Sequence, residues 1–219
     1  MTRFHVDAVL CDNDGTLVDS QPAVDRAWER WSARVGLDWS FVANRIHGRR
    51  ASESIAELTP GRDLAAEDAW LERVELEELI DTTAIPGSAE LLGALAGAPW
   101  AVATSASVRL AVARLDAAGL PVPEVVIGAD LVDRGKPDPQ PYLRAAEALD
   151  VDPVRCVVLE DSTTGVRAGA GAGCVVVGVR TADTHDTLVA AGATTTVADL
   201  RELRVTVAPD RTIELVVSR

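Results

Sequence analysis

The 219-residue chain, 47% hydrophobic and 25% charged, has the composition of a globular protein that buries a sizeable core, which excludes a predominantly disordered chain. Its net charge of −13 argues against nucleic acid or an anionic membrane as a general partner, since both select a basic footprint, so any anionic ligand must be met by cations concentrated locally. No apolar run approaches transmembrane length, and Met1-Thr-Arg-Phe-His-Val6 shows no leader pattern, so a cytoplasmic protein is expected.

Val6–Cys11 reads as a short buried strand, and Asp12-Asn-Asp-Gly-Thr-Leu17 as the polar turn at its carboxyl end. Residues 19–84 contain no convincing strand; they show helical patterns near 21–35, 44–58 and 64–80 and read as an all-helical insert. Four of the five tryptophans lie there, with Trp28 and Trp31 one helical turn apart, a spacing for packing inside a small helical unit. Residues 61–81 carry eight acids against two arginines, a pattern expected of a solvated helix face.

Beyond the insert, apolar strands at Trp100–Thr104, Val125–Ile127, Cys156–Leu159 and Cys174–Gly178 alternate with helical patterns near 87–97, 107–118, 139–149 and 163–172. That rhythm predicts a doubly wound α/β fold, a parallel sheet covered on both faces, with residues 1–18 and 85–219 as its core. Gly169-Ala-Gly-Ala-Gly173 closes a helix and precedes a strand, the reverse of a dinucleotide fingerprint, so these glycines are expected to serve close packing. Residues 204–217 alternate around Pro209-Asp210 and read as a terminal hairpin without chemistry. Cys11, Cys156 and Cys174 each adjoin an apolar run and are expected as free thiols.

Ligands of open parallel sheets bind outside the carboxyl ends of the strands. Four spots qualify: Asp12 with Asp14, Thr104-Ser105, Lys136, and Glu160-Asp161. Each alone is explained by a turn, a helix cap or a loop. Together they make one site, because several carboxylates at one sheet edge repel unless a cation sits among them. Oxygen ligands without a His or Cys cluster point to Mg²⁺. Lys136 is the single lysine beside 20 arginines, which suggests a position that needs a compact ammonium rather than a planar fork. One carboxylate is then free to attack phosphorus, and the neighbour two residues on is placed for acid and base work, with Lys136 and Thr104 holding the phosphoryl group.

In order and spacing, Asp12-Asn-Asp14-Gly-Thr, Thr104, Lys136-Pro and Glu160-Asp161 resemble the four motifs of the haloacid dehalogenase-like hydrolases, over nearly the whole chain. The helical insert after the first motif resembles the cap of the subgroup with β-phosphoglucomutase and small sugar phosphatases. Asp14–Ser20, Ile46–Arg50, Ile85–Gly87, Trp100–Ser105, Arg134–Pro137 and Ala172–Cys174 are similar to hexose and hexitol phosphatases and to yeast-type glycerol-phosphate and 2-deoxyglucose-6-phosphate phosphatases. The resemblance implies a Rossmann-like core with Asp12 as nucleophile and Asp14 as acid/base. It also implies Mg²⁺ through Asp12, the Asp14 carbonyl and Asp161, with Glu160 in or next to that shell. Thr104, Ser105 and Lys136 would hold phosphate, and His47, Arg49 and Arg50 would face a small sugar or polyol phosphate when the cap closes about crossings near 18–21 and 82–86. Asn13 departs from the family pattern, which usually has an apolar residue there.

Rival readings are a sugar-phosphate mutase, which shares all four motifs, and a silent binding module, which the filled chemical positions oppose. Asp14 argues against a dehalogenase, and the absence of lysine in the insert against a phosphonatase. A monomer is the default expectation.

Overall fold

The computed structural model describes residues 1–46 and 49–218. The chain opens with β1 (Thr2–Val6) and β2 (Ala8–Cys11), then β3 (Val18–Asp19) leads into α1 (Gln21–Val35), α2 (Trp39–Ala43), α3 (Ala51–Leu58) and α4 (Leu64–Glu77). It returns through β4 (Thr83–Ala84) to α5 (Ser88–Ala94), β5 (Trp100–Ala103), α6 (Val108–Ala117), β6 (Val125–Ile127) and α7 (Gln140–Ala148). The remainder is β7 (Cys156–Glu160), α8 (Thr163–Gly171), β8 (Val175–Val179), α9 (His185–Ala191), β9 (Thr195–Val197), β10 (Leu203–Val207) and β11 (Ile213–Val217).

Six strands form one parallel sheet in the order β6-β5-β2-β7-β8-β9, so the chain leaves the central β2 in one direction, through β5 to β6, and returns to fill the other side. This reversal places a crevice at the carboxyl end of β2, between β5 and β7. Side chains alternate across the sheet with the strand period of two. Val9, Cys11, Val102, Val157 and Leu159 join one core, and Leu10, Ala101, Ala103, Cys156 and Val158 join the other. The second core is roofed by Tyr142, Ala145, Val166 and Leu188 from α7, α8 and α9. Each fully buried aliphatic side chain contributes roughly 1.5–3 kcal/mol. Gly169 lets α8 sit against the sheet: a Cβ there would lie 3.1 Å from both Val158 and Val176.

The expected strand over Val6–Cys11 is two strands in two sheets. Asp7 breaks it, its N–H donating to the Arg155 carbonyl at 2.7 Å and its carboxylate pairing with the Arg155 guanidinium at 2.8 Å. β1 therefore joins the terminal hairpin in an antiparallel sheet ordered β1-β11-β10, whose Ile213, Leu215 and Val217 close the first core. The parallel sheet extends to β9, and α9 precedes it; neither was anticipated. All three cysteines are free thiols.

In the insert, the helix expected over 44–58 starts only at Ala51. An earlier helix, α2, is started by Asp38, whose carboxylate accepts from Ser40 N–H at 2.8 Å, and it stops at Asn44. Helices α1–α4 pack around their own cluster of Trp28, Trp31, Val42, Ile55, Leu71 and Val74, with the two tryptophan rings edge to face at 5.3 Å. The acidic run is not a solvated face throughout, since Glu67 and Glu75 are buried. Burial alone works against the Glu67 charge, but Arg34, Arg62 and the Trp31 indole N–H bind it and hold its carboxyl below the usual range. The insert meets the core through β3 and β4, which pair antiparallel, Val18 opposite Ala84 and Asp19 opposite Thr83.

Candidate active site

Asp12 follows the last residue of β2, and its N–H donates to the Leu159 carbonyl of β7 at 2.9 Å, which carries the sheet geometry one residue further. The chain then folds back on Asn13, whose carbonyl accepts from Leu17 and Val18 at 2.8 and 3.0 Å. Gly15 makes this turn with φ +83°, and any Cβ there would lie 2.0 Å from Asp161 Oδ2. A residue with a side chain is thus excluded twice, by backbone conformation and by the carboxylate against it. Asn13 is fully buried, and its Oδ1 has no hydrogen-bond partner among the described residues.

Lys136 comes from the loop between β6 and α7. Its ammonium lies 2.5 Å from Asp12 Oδ1 and 2.6 Å from Glu160 Oε1. Burial opposes its charge, but the two carboxylates more than offset this and keep the ammonium protonated. Glu160, the last residue of β7, is held from every side: Tyr142 O–H donates to Oε1, and Ser162 donates to Oε2 through both N–H and O–H. Gly165 at the start of α8 makes room for it, since a Cβ there would fall 1.6 Å from Oε1.

Asp12, Glu160 and Asp161 each offer a carboxylate oxygen within 4.8 Å of the others, and all three residues are buried. Burial pushes the Asp12 carboxyl up to about 7, with Lys136 pulling it down and Glu160 and Asp14 pushing it up. Asp161 is driven well above the carboxylate range, by burial first and then by Glu160 and Asp12. Three buried carboxylates against one ammonium make a donor set that a hard divalent cation would relieve, so the residues fit the expected magnesium ion. Glu160 has both oxygens engaged by protein donors, which leaves Asp12 and Asp161 as the carboxylates with capacity for an ion.

Asp14 is gripped by residues that the motif pattern did not reveal. Its Oδ1 accepts from Ser20 O–H at 2.6 Å and from Arg114 of α6 at 2.9 Å. Arg114 is itself buried and reaches Glu75 of α4 at 3.1 Å. A sequence signal for both existed. Arg114 shares the buried stripe of its helix with Leu110, Ala111 and Leu115, and Glu75 shares its own with Leu71 and Val74. A charge on an apolar stripe needs a buried partner.

Thr104, directly after β5, is buried, accepts from Ala106 N–H at 3.1 Å and lies 3.5 Å from Asp14 Oδ2. Ser105 is half-buried beside it. A cavity of about 1100 Å³ opens above these residues, floored by Asp12, Asp14, Thr104, Lys136 and Asp161 and walled on the insert side by Trp28, Arg49, Arg50, Asp68 and Glu72. Arg49 pairs with Glu57 at 2.7 Å. Arg50 instead reaches across to the core, donating to the carbonyls of Val132 and Asp133 in the loop before Lys136. His47 lies outside the described residues. No helix among the described residues is long and apolar enough to cross a membrane.

Comparisons with known proteins give the family and the fold. Residues 6–173 match the family described as haloacid dehalogenase-like hydrolase. The chain is 48% identical over 175 residues to hexitol phosphatase A of Escherichia coli (strain K12), covering 78% of this chain and 81% of that protein. It is 33% identical to glycerol-1-phosphate phosphohydrolase 2 of Saccharomyces cerevisiae, covering 91% and 85%. Among solved structures, CbbY from Rhodobacter sphaeroides in complex with phosphate superposes with a TM-score of 0.81 at 28% identity, covering 90% of this chain and 96% of that one. With Asp12 and Asp14 in the loop after β2, and Lys136 and the Glu160-Asp161 pair beside them at the crevice of a parallel sheet, the chain belongs to the haloacid dehalogenase-like hydrolases.

Proposed function

We propose that the protein is a magnesium-dependent phosphatase acting on small sugar or polyol phosphate monoesters through an aspartyl-phosphate on Asp12. The observation that carries this reading is the buried cluster of Asp12, Lys136, Glu160 and Asp161, with Asp14 two residues along the same loop. The 48% identity to hexitol phosphatase A supports the polyol part of the substrate class.

In this reading Asp12 attacks phosphorus while the bond from phosphorus to the substrate oxygen breaks, and Asp14 gives its proton to the departing alkoxide. Asp14, now a carboxylate, takes a proton from water as the water attacks phosphorus, which frees Asp12 and releases inorganic phosphate. Lys136, Thr104 and Ser105 hold the phosphoryl oxygens, and Glu160 holds Lys136. Asp12, Asp161 and the Asp14 carbonyl would hold magnesium, which supplies charge neutralisation at the phosphoryl group when bound. The insert serves as a cap, residues 19–84 on a core of 1–18 and 85–219. Arg49 faces the substrate, Arg50 latches the closed cap onto the core, and water is kept from the reacting group, with His47 a substrate-binding candidate on its sequence motif alone. We assign the enzyme to the cytoplasm as a monomer.

Magnesium-dependent phosphate release from p-nitrophenyl phosphate, lost in Asp12→Asn, tests the chemistry. A panel of phosphorylated hexoses, hexitols and glycerol ranked by kcat/KM tests the substrate class. Stoichiometric isomerisation of β-glucose 1-phosphate with little free phosphate would replace this reading with a mutase.

A further inference from the structure

The contact between Arg114 and Asp14 is a buried one that joins two parts of the chain. The Arg114 side chain is 4% exposed and its guanidinium has two carboxylate partners, Asp14 in the nucleophile loop at 2.9 Å and Glu75 in the insert at 3.1 Å. Its Nε is buried without a partner among the described residues, and the grip comes from the two terminal nitrogens, one on each side of the junction between core and insert. Burial opposes the guanidinium charge, but the two carboxylates outweigh it. A planar fork can span two carboxylates in fixed directions, which an ammonium cannot.

The two oxygens of Asp14 are held unequally. Oδ1 takes both strong donors, Arg114 and Ser20, and Ser20 stands at the entry to α1. Among the described residues the hydrogen-bond contacts of Oδ2 are to Asn13 Nδ2 and Thr104 Oγ1, each at 3.5 Å, the outer limit of a hydrogen bond. The carboxylate is therefore anchored through one oxygen and leaves the other lightly held beside Thr104 in the cavity floor. A second link joins the same two helices, because Ser107 at the start of α6 donates to Glu72 of α4.

We infer that Arg114 is a positioning residue that couples the insert to the acid/base group: with α4 docked, Glu75 fixes Arg114, and Arg114 fixes Asp14 with Oδ2 turned to the departing oxygen. With α4 lifted away, Arg114 loses one of its two anchors and Asp14 its fixed orientation. Proton donation to the leaving group is thereby tied to cap closure. This rests on the reading of Asp14 as acid/base proposed above.

The test compares two substrates. Sorbitol 6-phosphate leaves as an alkoxide that needs a proton, whereas p-nitrophenyl phosphate leaves as a stable phenolate that does not. Because kcat/KM reports events up to loss of the leaving group, the ratio of kcat/KM for the alkyl over the aryl substrate isolates the work of the acid. In Arg114→Gln the ratio should fall about 10- to 100-fold, part of the 10²–10⁴ that acid catalysis typically supplies. Glu75→Ala, on the opposite side of the junction, should lower the same ratio by roughly threefold or more, and the double variant should match Arg114→Gln, since Glu75 acts through Arg114. If Arg114→Gln does not fold, the Glu75→Ala ratio decides. A ratio unchanged in the folded variants, which is what a merely structural contact would give, or additive losses in the double variant, overturns the inference. Asp14→Asn is the control: if it keeps the wild-type ratio, the acid/base reading itself fails. If it loses the ratio while the Arg114 and Glu75 variants keep it, only the coupling fails.

Discussion

The ammonium of Lys136 lies 2.5 Å from Oδ1 of Asp12, with the lysine side chain 3% exposed and the aspartate side chain 9%. The same nitrogen serves Glu160. Lys136→Met therefore strands two buried carboxylates. Breaking a buried pair in this way costs about 3–5 kcal/mol. The gap in Tm between wild type and variant should widen from pH 5.5 to pH 8, because Asp12, which burial already pushes up to about 7, loses the ammonium that pulls it down, and the stability linked to it is lost as pH rises. Turnover should fall by about 10²-fold or more. Lys136→Arg should rescue neither, since a fork does not fit where one nitrogen meets two oxygens. Thermal melts across pH and p-nitrophenyl phosphate kinetics check both.

Metal binding has a readout apart from turnover. In protein stripped with EDTA, added Mg²⁺ should raise Tm with a dependence on its concentration, as expected of a ligand that binds the folded state alone. In Asp161→Asn the shift should vanish at millimolar Mg²⁺, and with it phosphate release. A full thermal shift in that variant would remove Asp161 from the site.

Gly165→Ala tests how tightly the site is packed from behind. The new methyl would fall 1.6 Å from Glu160 Oε1, so the carboxylate must move off Lys136. Overpacking of this kind costs about 1–3 kcal/mol, or roughly 3–10 °C in Tm at this chain length. A displaced Glu160 releases Lys136, and turnover should fall on the order of 10- to 100-fold. Differential scanning calorimetry and steady-state kinetics on the same preparation check this.

Glu75 should make stability depend on pH near neutrality. Burial pushes its carboxyl up to about 7, with Arg114 of α6 pulling it down and Asp14 and, from its own helix, Asp68 pushing it up. The folded pKa exceeds the unfolded value, so the stability linked to this group is full below the unfolded pKa and is lost as pH rises through about 7. The loss amounts to about 3 kcal/mol. Glu75→Gln removes the titration, so the Tm of wild type relative to the variant should decline between pH 5 and pH 8. Parallel melts in a pH series measure it.

The parallel sheet was legible because most of its strands are continuous apolar runs, and β2, β5 and β7 each lead into a polar turn that holds a candidate site residue. The sequence alone therefore puts Asp12, Thr104, Lys136 and Asp161 at one sheet edge. What escaped was set by tertiary contact. The division of β1 from β2 depends on Arg155 meeting Asp7 from a distant turn, and nothing in a run of six residues announces that. β9 consists of two threonines and a valine and stands out only through its pairing with β8. The helix expected over 44–58 failed because local capping by Asp38 and Asn44 outweighs the apolar spacing. Glu67 and Glu75 were hidden among exposed acids, where only their place on an apolar stripe marks them.

The pairing of β3 with β4 joins the insert to the core through two strands lying side by side, Val18 beside Ala84. The excursion of more than sixty residues thus leaves and re-enters the core at nearly one point, and no strand of the parallel sheet is spent on it. In evolutionary terms such an attachment is modular: an insert can be lengthened, shortened or exchanged between lineages without disturbing the strands that carry Asp12, Thr104 and Glu160. If the insert sets substrate preference, as proposed, chimaeras spliced at Val18 and Ala84 should carry that preference with them while the core keeps the reaction.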